Sequence, residues 1–302
     1  MTNTALILDI KGSKNMSNDE RAHAQEKLYD IINIINSVYR EKIKYKLEFS
    51  GGDGVEGSFA DPSSAIRCYT FIMSAFHPYV ARCGIGIGDL VEMPYESSNM
   101  ADGPSYHRAN DALSLAKARG YELLFMSDGE GDRFINQYLT VAQMLLSGQS
   151  QKQRIVNNIV FLLDPLTFPG MDMIGYRGGA GAYIEESAGS YGQRPDGAAG
   201  AREKDVSGAY PEFGRYKFDA LGNGEAVFDE CLPFDVRRLY TKKYGDEALM
   251  GRTIDGKVQT AIGRMLGVSS ENVRQMINKG HVDTIRSLFI SASAMAVHFS
   301  ER

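Results

Sequence analysis

The chain of 302 residues contains no tryptophan and only three cysteines, Cys68, Cys83 and Cys231. The cysteines lie far apart and form no CxxC pair. That argues against a structural zinc site or a disulfide framework and fits a reducing compartment. The five histidines include no HExxH or similar spacing, which argues against catalytic zinc. No apolar run approaches the roughly 20 residues that cross a bilayer, so no membrane partner is expected. The first residues enter apolar, strand-like sequence at once, with no basic leader or small-residue cleavage site. A cytoplasmic location is the expectation. Acidic residues are scarce in one region. Residues 236–302 hold 11 of the 33 Lys and Arg but 6 of the 38 Asp and Glu, a net of +5. The remainder carries 22 basic and 32 acidic residues, a net of −10. A basic segment on an acidic body points toward a polyanion met by that segment.

What is present is ordinary for a globular protein, at 43% hydrophobic and 24% charged, and the length suits two domains. Residues 4–10 are continuously apolar, as a central strand covered on both faces would be. Asp9 interrupts that run near its end, where an unpaired carboxylate costs several kcal/mol unless it meets a cation. A loop, Lys11-Gly12-Ser13-Lys14, leads to a helix opened by Asn18-Asp19-Glu20 and running to about Lys42, with Leu28, Ile31, Ile32, Ile34, Ile35 and Val38 at helical spacing. Two strands at about 45–50 and 55–60 flank Gly51-Gly52-Asp53-Gly54, a hairpin signal with one carboxylate at its tip. Read alone, Asp53 is either a solvated turn residue or a cation ligand on an uncrowded turn. Asp61-Pro62-Ser63 starts a helix that ends at His77-Pro78. The strand at 80–91 alternates glycine with Ile85 and Ile87, so one face is bare and admits a backbone or a ligand. A helix from Asp102-Gly103-Pro104 to about Lys117 follows, then a strand at 121–126 and helices at about 131–146 and 150–163.

The succession β-α-β-β-α-β-α-β predicts an α+β fold, a ferredoxin-like or palm domain over residues 1–165 with its helices on one side of the sheet. Residues 166–235, rich in Gly, Ala and Tyr, read as an irregular insertion, with limited strand content near Tyr183 and Tyr216–Phe218. Residues 236–302 read as an all-α region. Within residues 257–280, Gly263 sits four before the turn glycine Gly267, and Ile262, Leu266, Val268, Val273 and Ile277 lock two helices in a helix-turn-helix pattern. Ser269 would cap the second helix. Ser270, Asn272, Arg274 and Gln275 would face outward toward DNA bases, with Glu271 opposing that use. The bland alternative is a helical corner that only packs.

In a palm the first strand lies beside the hairpin, which would set Asp9 next to Asp53. Adjacent carboxylates are reconciled by a shared cation, and an all-oxygen set suits Mg²⁺ or Mn²⁺. The 11–13 loop would offer main-chain N–H groups to phosphate. The alternative is a surface Asp pair without metal.

Asp9-Ile10-Lys11-Gly12-Ser13 resembles the first metal motif of class III nucleotidyl cyclases. Ser50-Gly51-Gly52-Asp53-Gly54 resembles their second metal hairpin, and also the Gly-Gly-Asp turn of diguanylate cyclases and CRISPR polymerase palms. Arg82-Cys83-Gly84-Ile85-Gly86-Ile87-Gly88 is similar to the cyclase Arg-x-Gly-Ile-x-x-Gly strand. With Asp102-Gly103-Pro104-Ser105-Tyr106-His107-Arg108-Ala109 and the helix-turn-helix, the whole order is most similar to the SatD-like family, over residues 4–126 and 236–290. The resemblance implies Mg²⁺ or Mn²⁺ held by Asp9, Ile10 and Asp53, with both carboxylates catalytic. It implies a nucleoside triphosphate at Ile10, Lys11, Gly12, Ser13, Gly51, Gly52, Arg82, His107 and Arg108, and a homodimer. It also shows departures. His107 and Asp111 stand where cyclases carry Asn and Arg, Gly54 where diguanylate cyclases carry a second acid, and Phe49 where cyclases often carry a base-selecting Lys. Arg108 or Lys117 is left to replace the missing cation. Three readings follow: a metal-dependent cyclase or nucleotidyltransferase, a catalytically inactive, nucleotide-responsive DNA-binding regulator, or a palm-fold scaffold that binds neither.

Overall fold

Five strands form one sheet: β1 (Thr2–Ile10), β2 (Ile43–Ser50), β3 (Gly54–Phe59), β4 (Ala81–Asp89) and β5 (Leu123–Met126). Their order is β2-β3-β1-β4-β5. Strand β1 runs antiparallel to both β3 and β4, and β5 lies parallel to β4. The first four strands have the ferredoxin-like arrangement expected from their succession, and β5 extends it. This is a computed structural model, and it describes residues 2–90, 98, 101–167, 171–192, 254 and 256–301. Among them the helices are α1 (Asn18–Val38), α2 (Pro62–Ala75), α3 (Pro104–Arg119), α4 (Asp132–Ser147), α5 (Gln151–Leu163), α6 (Met173–Gly189), α7 (Gly256–Leu266), α8 (Ser270–Lys279) and α9 (Val282–Ser300). None of them is long and apolar enough to cross a membrane.

Local chemistry sets the helix ends. The Ser17 hydroxyl caps α1 at the Glu20 amide, Asp61 caps α2 at the Ser64 amide with Pro62 behind it, and Ser150 and Gln153 form a reciprocal capping box on α5. Helix α1 stops at Val38, short of Lys42, because the Lys42 and Ile43 amides turn back onto the Tyr39 carbonyl.

The two faces of the sheet are filled differently. Leu6, Leu8 and Ile10 of β1 point into the main core with Leu28, Ile31 and Ile35 of α1 and Ile66 and Ile72 of α2. Ala5 and Ile7 point the other way, toward Tyr106 and Ala109 of α3. Helices therefore cover both faces, which corrects the one-sided palm expected from the sequence. The bare face of β4 receives a backbone. A Cβ on Gly84 would fall on the Ala109 carbonyl and the Leu113 amide, and one on Gly86 on the Ala109 amide and the Ser105 carbonyl.

The later helices depart further from expectation. Residues 173–189 form α6, not irregular chain, and Tyr183 is helical. Its buried Tyr176, Ala180, Tyr183 and Ser187 share one face, and Gly179 lets the helix rest against Ile34 of α1. Lys27 of α1 ties it down, donating to Glu186 at 2.5 Å and to the His77 carbonyl at 2.6 Å. Residues 193–235 of the expected insertion, including Gly197–Ala201 and Tyr216–Phe218, lie outside the described residues, as do residues 236–253. The C-terminal helices are all-α as expected, but they do not pack apart from the palm. Ile285, Phe289, Ala292 and Ala296 of α9 join the same core as β1, alongside Phe161 of α5 and Leu139 of α4. Helices α7 and α8 bury Ile262, Val273 and Ile277 against Ile155, Val156, Ile159 and Val160 of α5.

Candidate metal centre

Sheet register brings the backbones of Asp9 and Asp53 to the same end of the sheet. Asp9 pairs with Gly54 on β3, so Asp53 is one residue from the position directly across from Asp9. The β2–β3 hairpin closes through Gly51 (φ 63°) and Gly52 (φ 104°), with Ser50 paired to Gly54. Both glycines need positive φ, and no atom stands within 4 Å of where a Cβ would be. The turn is thus open above Asp53, which is itself partly buried. Gln25 of α1 donates to the Gly52 carbonyl at 3.1 Å and holds the tip from below.

Alternation places Asp9 on the same face as Ala5 and Ile7, the face that carries α3. Its side chain is 19% exposed, and Lys117 of α3 meets Oδ2 at 2.6 Å. The other oxygen, Oδ1, is buried with no hydrogen-bond partner. A buried carboxylate oxygen without a donor is costly, and a cation is one way to satisfy it. The donors offered are carboxylate and main-chain oxygens, which suit Mg²⁺ or Mn²⁺. Among the described residues no three His, Cys, Asp or Glu converge as a ligand cluster. Asp9 and Asp53 with the Ile10 main chain therefore fit a cation that keeps most of its shell in water and phosphate, as Mg²⁺ ordinarily does.

The loop after β1 is less free than its sequence suggests. Gly12 is left-handed (φ 79°) and leads into a single 3₁₀ turn, Ser13–Asn15, before Ser17 starts α1. The Ser13 carbonyl accepts from Arg21 Nε and Nη2 at 3.1 and 2.7 Å. Lys11 Nζ donates to Glu122 at 3.2 Å, and Arg82, opposite Asp9 on β4, donates to the Tyr121 carbonyl at 3.1 Å. All of these flank the Asp9 end of the sheet.

His107 and Arg108 do not. They sit on the first turns of α3, at the other end of β4. Arg108 donates to the Ile87 carbonyl at 2.6 Å and to Asp128 at 2.7 Å, and His107 Nε2 lies 3.2 Å from Asp102. Ile87 is five residues along β4 from Arg82, roughly 17 Å at strand rise. Arg108 cannot serve the Asp9 site of its own chain, and Lys117 is the α3 cation that reaches it. Arg108 instead lines a cleft of about 330 Å³ with Gly88, Ser127 and Phe299.

Two carboxylates escaped the sequence reading. Glu48 and Glu56 pair across the hairpin, and Glu56 is in register with Ile7, so it shares the face of Asp9. Burial, reinforced by the Glu48 charge, raises the Glu56 carboxyl above its usual range against a Ser50 hydrogen bond. The Ser98 amide and hydroxyl donate to Glu48 at 3.2 and 3.3 Å. The signal was present as period-two alternation, since Phe49 packs into the main core and sends its neighbours the other way. Cys68 and Cys83 are buried and free, and burial pushes both thiols well up, so neither is a ready nucleophile. Cys231 is outside the described residues.

In α8, Ser269 caps at the Asn272 amide, Val273 and Ile277 are buried, and Ser270, Asn272, Arg274 and Gln275 face solvent. Arg274 forms two 2.8 Å bonds to Glu271, and Gln275 donates to the same carboxylate at 3.2 Å. Gly263 accommodates the turn, where a Cβ would press on the Val268 carbonyl.

A model of the SatD family matches residues 3–163. No curated protein matches the chain. Two solved structures of a bacterial light-regulated adenylyl cyclase are similar to it. One is 20% identical and aligns 41% of this chain with 74% of that chain at a TM-score of 0.33. The other is 19% identical and aligns 42% of this chain with 43% of that chain at a TM-score of 0.33, so the match spans less than half of its length.

Proposed function

The chain belongs to the SatD family, and on that premise we propose that it is a nucleotide-binding palm protein whose ligand is a nucleoside triphosphate with Mg²⁺ or Mn²⁺. The register that sets Asp9 across from Gly54, one residue from Asp53, carries this reading. Asp9 and Asp53 would hold the cation, with Ile10 contributing main-chain oxygen. Lys11, Gly12, Ser13, Gly51 and Gly52 surround the same end of the sheet and would face the phosphates. A bound divalent ion supplies charge neutralisation to the phosphates and polarises the phosphorus–oxygen bonds. The protein's own part is to fix the two carboxylates on paired strands and to leave the turn above them open. A phosphoryl-transfer reaction, cyclase or nucleotidyltransferase, is the chemistry such a site suits. A homodimer would let His107 and Arg108 of one copy reach the Asp9 end of the other.

Calorimetric titration with ATP, GTP, CTP and UTP in Mn²⁺, followed by pyrophosphate assay, tests the reading. Binding that weakens at least tenfold in Asp9→Asn and Asp53→Asn is the expected result. Unchanged binding in both variants discards it.

A second reading has a specific observation behind it. His107, where cyclases carry Asn, falls at the far end of the sheet, Asp111 is not a cation, and α8 presents an exposed polar face. The protein would then bind nucleotide without turnover and bind DNA through α8, at Ser270, Asn272, Arg274 and Gln275. Affinity for duplex DNA would fall steeply with salt and change on adding nucleotide. The Glu271 contacts to Arg274 and Gln275 oppose it. DNA binding indifferent to Arg274→Ala and Gln275→Ala removes this reading.

A further inference from the structure

We infer that Lys117 is the built-in counter-ion of Asp9 and competes with a divalent cation for that carboxylate; the inference rests on the metal reading above. Lys117 Nζ lies 2.6 Å from Asp9 Oδ2, while Oδ1 is buried and accepts no hydrogen bond. Buried carboxylate oxygens ordinarily have a donor, so Oδ1 is open to a further partner. Here one oxygen holds an ammonium and the other is left for something more.

The two partners differ in freedom. Asp9 is fixed on a central strand and 19% exposed, whereas Lys117 is 45% exposed at the end of a four-carbon stem. Lys117 can leave by rotating its stem into solvent; Asp9 cannot move. The cations nearer in sequence or register are engaged elsewhere, Lys11 on Glu122 and Arg82 on the Tyr121 carbonyl. Lys117 reaches Asp9 because the glycines of β4 draw α3 onto the sheet.

The exchange has a direction. Without metal, Lys117 neutralises Asp9 and the site is closed on itself. A divalent ion taken up at Oδ1 beside Asp53 repels the ammonium on Oδ2, which swings into solvent and is then free to meet phosphate oxygens at the same sheet end. Metal and nucleotide each favour the state that binds the other, so their binding is coupled, and reciprocally so. Lys117 is a positioning residue in this scheme, not a catalytic one.

The test titrates the full chain with Mn²⁺ alone and follows free Mn²⁺ by electron paramagnetic resonance. Lys117→Met should bind Mn²⁺ roughly fivefold tighter than the wild type, the ratio that a partly exposed ion pair of about 1 kcal/mol commands. Lys117→Arg, which keeps a cation on Asp9, should stay near the wild type. ATP should tighten Mn²⁺ binding more in the wild type than in Lys117→Met. Equal Mn²⁺ affinity in the wild type and Lys117→Met overturns the competition while leaving the metal site standing. Absence of Mn²⁺ binding in both, with ATP present, overturns the competition and the metal reading together.

Discussion

The two faces of the sheet use side-chain volume in opposite ways. Toward α1 and α2 the strands project Leu6, Leu8, Ile10, Val55, Cys83, Ile85, Leu123 and Phe125, all essentially buried. Toward α3 they project Ala5, Gly84, Gly86 and Gly88, and the helix backbone itself fills the space. The first face is an ordinary apolar core. The second has fewer apolar atoms to spend on packing, and it carries Asp9, Arg82, Glu56 and the Lys117 contact. Apolar side-chain volume is concentrated on one face and charge on the other. The two meet at β1, whose alternating residues serve both.

Breaking the α3 face should do the most damage. Gly86→Val places a side chain on the α3 backbone, which cannot yield as a flexible side chain would. A loss of at least about 4 kcal/mol in urea denaturation, or failure to yield folded protein, is expected. A stable Gly86→Val would show that α3 is loosely held, and the contrast between the faces would fail. Truncation on the other face comes next. Leu8→Ala removes a fully buried side chain and should cost about 3 kcal/mol. Because Leu8 points away from Asp9, the nucleotide affinity proposed above should stay within about twofold in the folded fraction, measured by calorimetry.

The smallest effect sharpens the comparison through pH. Glu56 is half-buried and its folded carboxyl titrates above the usual range. The folded chain therefore holds that proton to higher pH than the unfolded chain. Its contribution to stability is present at acid pH and lost as pH rises from about 4.5 through the raised folded value. Glu56→Gln should raise Tm by about 1–3 °C at pH 7, with the gain fading toward pH 4. A gain of equal size at both pH values would assign the effect to something other than the buried charge.

Much of the sheet side of this fold was legible in the sequence. Continuous apolar residues at 4–10, the glycine hairpin and the glycine–isoleucine alternation of β4 identified the strands. Asp9 and the hairpin of Asp53 were placed on neighbouring strands because each sits on a recognisable motif, and Asp9 pairs with Gly54. The element that fills the bare face of β4 was not legible, since period two says that a face is empty but not what enters it. Lys117 and Asp9 are 108 positions apart, and only the depth to which α3 sinks brings them together. Arg108 shows the same gap in reverse. It is near the glycine strand in sequence, but the direction of α3 carries it to the far end. Helix α6 was missed because its glycines argue against a helix, although Tyr176, Ala180, Tyr183 and Ser187 repeat at helical spacing. Tertiary contact with α1 outweighs that poor propensity.

Helix α5 is walled in on two sides, with Phe161 and Leu162 in the core of the sheet and Ile155, Val156, Ile159 and Val160 against α7 and α8. Its amides can exchange with solvent only when one of these clusters lets go. Among the described residues, α5 thus joins the palm to the helical region through both clusters. Deuterium uptake would see them as a single cooperative unit, with α5 among its slowest parts.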